Sequence, residues 1–209
     1  MTTEGIGDHP KEECGVLGVY APEQDAARIA FFGLFALQHR GQESAGIAVS
    51  DGQTITVVKD MGLVTQVFDE RNLASLHGHI AIGHNRYSTT GSSSWRNAQP
   101  VYRSVGEAGF ALGHNGNLTN TPELAVRLRE VAHDLTSGSH SLATSDTDVL
   151  TGLIAAAATG DLVDAAAQVL PTVLGAYSLV FCDESTLYAA RDPQGIRPLA
   201  LGRMPVAGC

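Results

Sequence analysis

The order of its apolar runs constrains this chain most. Strand-length runs fall at 15–20, 45–50, 54–59, 79–84 and 109–113, and helix-length segments at 122–134, 145–158 and 161–169. Strand-length runs return at 176–182, 186–190 and 198–202. One further helical segment, 25–39, "DAARIAFFGLFALQH", follows the first strand. It is apolar almost all round, which predicts burial on more than one side. Strands, then helices, then strands is not a βαβ alternation. It predicts a layered α+β sandwich rather than a doubly wound sheet. "AYSLVFC", 176–182, is apolar on both faces, as a strand between a second sheet and a helix layer should be.

Several function classes drop out on composition. The chain has 209 residues with 44% apolar content, which suits one domain with a large core. Its longest strongly apolar run, "IAFFGLFAL", is about half of the roughly 18 residues a membrane span needs. No basic and apolar start marks a secretory signal. A net charge of -9 argues against a nucleic-acid partner, because no basic stripe is present to displace counterions. Three widely spaced cysteines make neither a disulfide framework nor a metal knuckle, which predicts a reducing, cytoplasmic setting. His39, His77, His79, His84 and His114 lie on strands and turns without Cys or Glu partners at ligand spacing, so no metal is expected.

Cys14 stands between a polar leader, "MTTEGIGDHPKEE", and the first apolar strand. It is either the first core residue or, once the leader is removed, a new N-terminus carrying both a thiol and an amine. Three more polar clusters lie at the ends of apolar elements, "HRGQESAG", "GHNRYSTTG" and "HNGN", and a fourth, "TSDTD", opens a helix. Taken singly, "HNGN" reads as a sharp turn, since Asn-Gly accepts positive φ, and "TSDTDVL" reads as a helix N-cap. Together they supply the parts for hydrolysing the amide of a zwitterionic amino acid. A thiol attacks the amide carbon, while an Asn side chain and a Gly N–H receive the developing oxyanion. An Arg fork grips the α-carboxylate and an Asp the α-ammonium. An N-terminal amine, with a pKa of about 7.7–8.0, can serve as the base for its own thiol.

The blocks "CGVLGVY", "LQHRGQESAGIAV", "GHNRYSTTGS", "HNGNLTN", "TSDTDVL" and "DPQGIRPLALGR" resemble, in this order, the glutaminase domain of the amidophosphoribosyltransferases. These are class II glutamine amidotransferases with the N-terminal-nucleophile hydrolase fold, a four-layer αββα sandwich. The resemblance implies a leader at 1–13 and a glutaminase domain at 14–209. It implies hydrolysis of the glutamine side-chain amide, with the ammonia used for phosphoribosylamine synthesis at the start of purine biosynthesis. It makes Cys14 the nucleophile, with Asn115 and Gly116 as the oxyanion hole. Arg86 becomes the carboxylate anchor with Thr89 beside it, Asp146 the ammonium anchor, and Arg40 a support for the nucleophile. Asn85 and Thr90 depart mildly from the family pattern. The family's phosphoribosyltransferase domain is not in this sequence, and the chain stops just after a strand, which predicts truncation. No cofactor is implied for this chain; magnesium and an iron–sulfur cluster go with the missing region. The implied partners are glutamine, the transferase domain and a second copy of the chain, with neither nucleic acid nor membrane. The alternatives are an inactive remnant of that enzyme and the glutaminase domain of another class II amidotransferase. Against the latter, the sugar-phosphate branch usually carries a Tyr-Arg-Gly-Tyr-Asp pattern where "LQHRGQESAGIAV" stands.

Overall fold

A computed structural model describes residues 14–87, 94–135 and 145–204. The leader, Thr89, Thr90 and Cys209 lie outside the described residues. In chain order the elements are β1 (Gly15–Tyr20), α1 (Ala26–Ala36), β2 (Ser44–Ser50), β3 (Ile55–Met61), α2 (Val64–Val67), α3 (Glu70–Leu73) and β4 (Ile80–Arg86). There follow β5 (Val101–Val105), β6 (Ala108–Leu118), α4 (Thr121–Leu135), α5 (Asp146–Ala157), α6 (Leu162–Val169), β7 (Gly175–Cys182) and β8 (Leu187–Arg191). Two four-stranded sheets form, in the orders β1-β4-β2-β3 and β5-β6-β7-β8. Every pairing is antiparallel.

The side-chain alternation of strands sorts the core into three layers. Ala81 on β4 faces α1 with Ala45, Ile47 and Leu34, whereas Ile80 and Ile82 face the second sheet and meet Ala111, Val180 and Cys182. On β6, Phe110 and Leu112 face α5 and α6 through Leu150, Ile154 and Val169. Helix α1 therefore covers one sheet, α4 to α6 flank the other, and the two sheets pack face to face. This is the four-layer αββα sandwich of the N-terminal-nucleophile hydrolases.

Local chemistry sets the helix starts. The Asp25, Ser145 and Asp161 side chains accept from the N–H groups of Arg28, Asp148 and Val163. Such a cap is worth about 1 kcal/mol.

Four expectations are corrected. Helix α1 buries one face, through Ala26, Ala27, Ala30 and Leu34, while Phe32 and Phe35 are 65% and 55% exposed. A single sheet covers a single face, so an all-round apolar helix keeps surplus apolar surface. "HNGN" is not a turn: β6 runs on through it to Leu118, in register with β7. A strand was missed at β5, whose "VYRSV" is a short, partly exposed edge. Residues 198–202 form no strand, and Leu201 is fully exposed. The chain is instead held in a turn by the Asp192 carboxylate, which accepts from Ile196 and Arg197 N–H at 3.0 and 3.1 Å.

Among the described residues, no helix is long and apolar enough to cross a membrane. Nor does any group of three His, Cys, Asp or Glu side chains lie close enough to hold a metal.

Candidate active site

Cys14 sits one residue before β1, half-buried. Its sulfur is bracketed by the backbone of Tyr87, 3.4 Å from the N–H that donates to it and 3.4 Å from the carbonyl that accepts its S–H. Pairing of β1 with β4 produces this contact: Gly15 lies opposite Asn85, so Cys14 runs out beside the end of β4. Burial pushes the thiol pKa up. The Tyr87 backbone and the positive charge of Arg86 pull it down, and the Asp146 carboxylate raises it slightly. Both proposed anchors thus lie within electrostatic reach of the sulfur. Among the described residues no imidazole or carboxylate hydrogen-bonds it.

Arg40 supports the same corner, donating from Nε to the Cys14 carbonyl at 3.3 Å. Gly41 lets its loop pass directly over β4, since a Cβ there would sit 2.6 Å from the Asn85 carbonyl oxygen. Arg86 ends β4 on the face turned toward the second sheet and is only 7% exposed. The Glu43 carboxylate lies 3.9 Å from its guanidinium, and the Glu43 N–H donates to the Arg86 carbonyl at 3.1 Å. Asn85, one residue earlier, points the other way and donates to the Leu34 carbonyl of α1 at 2.7 Å. That departure from the family pattern therefore faces the helix layer.

The second sheet brings Asn115 and Gly116. By strand alternation Asn115 turns toward the first sheet and His114 toward α5. Backbone directions also alternate along an antiparallel strand. Tyr177, opposite Gly116, spends its N–H and carbonyl on Asp192 at 3.3 and 2.9 Å. Gly116 consequently faces away from β7, as do His114 and Leu118. On that side β5 pairs only as far as Leu112, so β6 has a bare edge beyond it. The His114 N–H on this edge donates to Gln99 Oε1 at 2.7 Å and the Leu118 N–H to Asp146 Oδ2 at 3.3 Å. The Gly116 N–H lies between them, aimed off the edge. Glycine is required there: φ is +154°, and a Cβ would run into the Ala176 carbonyl.

Asp146 opens α5, where Ser145 caps the helix. Its Oδ1 accepts from the Thr147 N–H at 2.7 Å, and its Oδ2 lies 3.8 Å from His114 Nδ1. Thr147 Oγ1 accepts from Gln99 Nε2 at 3.1 Å and lies 3.1 Å from His114 Nδ1. Gln99, Thr147 and His114 thus join the start of α5 to the β6 edge. Sequence reasoning missed Glu43, Gln99 and Thr147 as parts of the site and treated His84 only as a possible metal ligand. For His84 a signal existed, since it is two residues before Arg86 on one strand and shares its face.

The first sheet thus supplies a thiol and a buried guanidinium, and the second a strand edge whose Gly116 N–H points away from β7, beside an aspartate. A family model for a glutamine amidotransferase domain matches residues 84–208, more than half of the sequence. The chain belongs to this family. Within it, the relatives are amidophosphoribosyltransferases. That of Mycobacterium leprae is 58% identical over 197 residues, which is 93% of this chain and 35% of that protein. That of Mycobacterium tuberculosis is 57% identical over 197 residues, 93% of this chain and 37% of that protein. The solved glutamine phosphoribosylpyrophosphate amidotransferase from B. subtilis, complexed with ADP and GMP, is similar in fold. It has a TM-score of 0.79 and 39% identity, over 90% of this chain and 39% of that one. The chain thus spans between a third and two fifths of these relatives' lengths.

Proposed function

We propose that this chain hydrolyses the side-chain amide of glutamine at Cys14 and releases ammonia. In the longer protein implied by its relatives, that ammonia is passed to a phosphoribosyl acceptor. One observation carries the reading: the Cys14 sulfur has only backbone hydrogen-bond partners among the described residues, yet lies within the fields of both Arg86 and Asp146. A thiol with a carboxylate anchor, an ammonium anchor and no side-chain base suits a nucleophile that supplies its own amine.

In this reading the leader 1–13 is removed and the freed α-amine takes the thiol proton. The sulfur attacks the amide carbon of glutamine. The carbonyl oxygen becomes an oxyanion, held by the Asn115 side chain and the Gly116 N–H. The amine returns its proton to the departing nitrogen, which leaves as ammonia from a γ-glutamyl thioester. Water then attacks the thioester, and glutamate and the free thiol are regenerated. Arg86, with Thr89, binds the α-carboxylate, Asp146 binds the α-ammonium, and Arg40 holds the Cys14 carbonyl. No cofactor takes part in this half-reaction.

The test is glutamate and ammonia release from glutamine by purified protein whose intact mass is measured. Active protein should begin at Cys14. Full activity in a chain still beginning at Met1 overturns the N-terminal-amine mechanism. No release from a chain that does begin at Cys14 overturns the glutaminase reading itself. Added phosphoribosyl pyrophosphate should leave the rate of glutamate release unchanged, because every group named in the proposed site is assigned to glutamine.

A further inference from the structure

The proposed site is divided between two sheets. Cys14 and Arg86 belong to the first, and Asn115 and Gly116 to the second. One buried polar contact joins the sheets beside it: His84 Nε2 lies 3.0 Å from the His114 carbonyl oxygen. His84 is completely buried on β4, on the same face as Arg86 two residues later. The His114 carbonyl is on the edge of β6 that β5 vacates, one residue before Asn115 and two before the Gly116 N–H. A bare buried edge needs hydrogen-bond partners. The His114 N–H finds one in Gln99, and the carbonyl finds one in His84. Because the acceptor is a carbonyl, Nε2 must carry the proton, which leaves Nδ1 as a bare acceptor. Among the described residues Nδ1 has no partner. The ring's only hydrogen bond there is the cross-sheet one.

We propose that His84 is a positioning residue: its Nε2–H clasps the β6 edge to β4 and so sets the oxyanion-binding groups at their working distance from the Cys14 sulfur. The role rests on the glutaminase reading above. Packing alone does not fix this distance. The core between the sheets is apolar, with Ile80, Ile82, Ala111 and Val180 in it, and burial of such side chains is non-directional. The hydrogen bond is directional and sits within two residues of three groups of the site. A misplacement of about 1 Å at a reacting centre costs roughly a hundredfold in rate.

Three variants of the full chain separate this role from simple core filling. His84→Gln places an amide N–H close to where Nε2 sits. His84→Asn is polar but carries its N–H nearer the Nδ1 position. His84→Leu fills the space without a donor. Turnover of glutamine should fall roughly a hundredfold in the Leu and Asn variants with KM changed by less than about threefold, and most of it should return in the Gln variant. Alkylation of Cys14 by iodoacetamide needs no oxyanion hole, so its rate should stay within about threefold in all three. Wild-type turnover in the Leu variant, failure of Gln to restore it, or a parallel fall in alkylation and turnover overturns the proposal. Hydrogen exchange at the Asn115 and Gly116 amides judges the clasp without substrate: it should quicken in the Leu and Asn variants but not in Gln, and unchanged exchange overturns the clasp. A wild-type chain that begins at Cys14 yet releases no glutamate would instead refute the glutaminase reading and leave the exchange result to decide the clasp.

Discussion

Lowering the pH from 7 to 4.5 should destabilise this fold through its two interior imidazoles. Burial pushes the His84 pKa down to about 3. The His114 carbonyl opposes that shift, while the charges of His114, Arg86 and Lys59 reinforce it. Burial lowers the His114 pKa as well, against the pull of Asp146. A histidine in the unfolded chain titrates near 6.5. Stability from a lowered imidazole pKa is therefore complete above about 6.5 and drains as the pH falls toward the folded value. In that window the unfolded chain binds a proton that the folded chain refuses. The slope is about 1.4 kcal/mol per pH unit for each such group. Over the two units below 6.5, His84 alone removes on the order of 2–3 kcal/mol, from a total that is about 5–15 kcal/mol for a domain. Asp192 does not confuse the measurement. Burial raises its pKa, but its backbone hydrogen bonds together outweigh that and hold it below the usual value, so its loss falls below about pH 5. Urea unfolding followed by far-ultraviolet circular dichroism, at half-unit pH steps, gives the slope. His84→Gln should flatten it by about one proton's worth. Stability that is level from pH 7 to 4.5, or a slope unchanged in that variant, would refute the assignment of His84 as buried and neutral.

Arg86→Lys should raise the KM for glutamine roughly ten- to a hundredfold, because lysine keeps the charge and loses the two-pronged grip, worth about 1.5–3 kcal/mol; steady-state kinetics decide it. Asn115→Ala should lower kcat by about a hundred- to a thousandfold, the usual loss for one oxyanion donor, with KM little changed; a fall in melting temperature in proportion would assign Asn115 to the fold instead. Gly116→Ala should lower both turnover and stability, the latter by about 1–3 kcal/mol, because the new methyl meets the Ala176 carbonyl; thermal melts and rates on the same samples check both. Asp146→Asn should weaken glutamine binding as Arg86→Lys does, and an unchanged KM in both would show that the substrate lies elsewhere.

By itself the sequence determined the layered α+β class, the three helices after β6, and most strands to within a residue or two. Those features rest on local signals: apolar periodicity, Asp and Ser caps, and strand-length runs. Cys14, Arg86, Asn115, Gly116 and Asp146 were nameable because each stands in a compact block of polar residues at the end of an apolar element, and because the blocks resemble one family. Tertiary structure alone decided three things. The first was that "HNGN" is a strand: β7 pairs with it over its length, and that distant pairing outweighs the local turn preference of Asn-Gly. The second was the fate of the two ends of the second sheet. β5 forms from an inconspicuous edge sequence because β6 is there to pair with it, and 198–202 forms no strand because Asp192 captures the preceding N–H groups. The third was the direction of the Gly116 N–H, away from β7 and off the edge of β6. It depends on where β5 stops relative to β6, a register between strands, and on a histidine from the opposite sheet that fills the vacated edge. Registers and cross-sheet bonds depend on pairs of residues distant in sequence, so no local pattern in either segment encodes them.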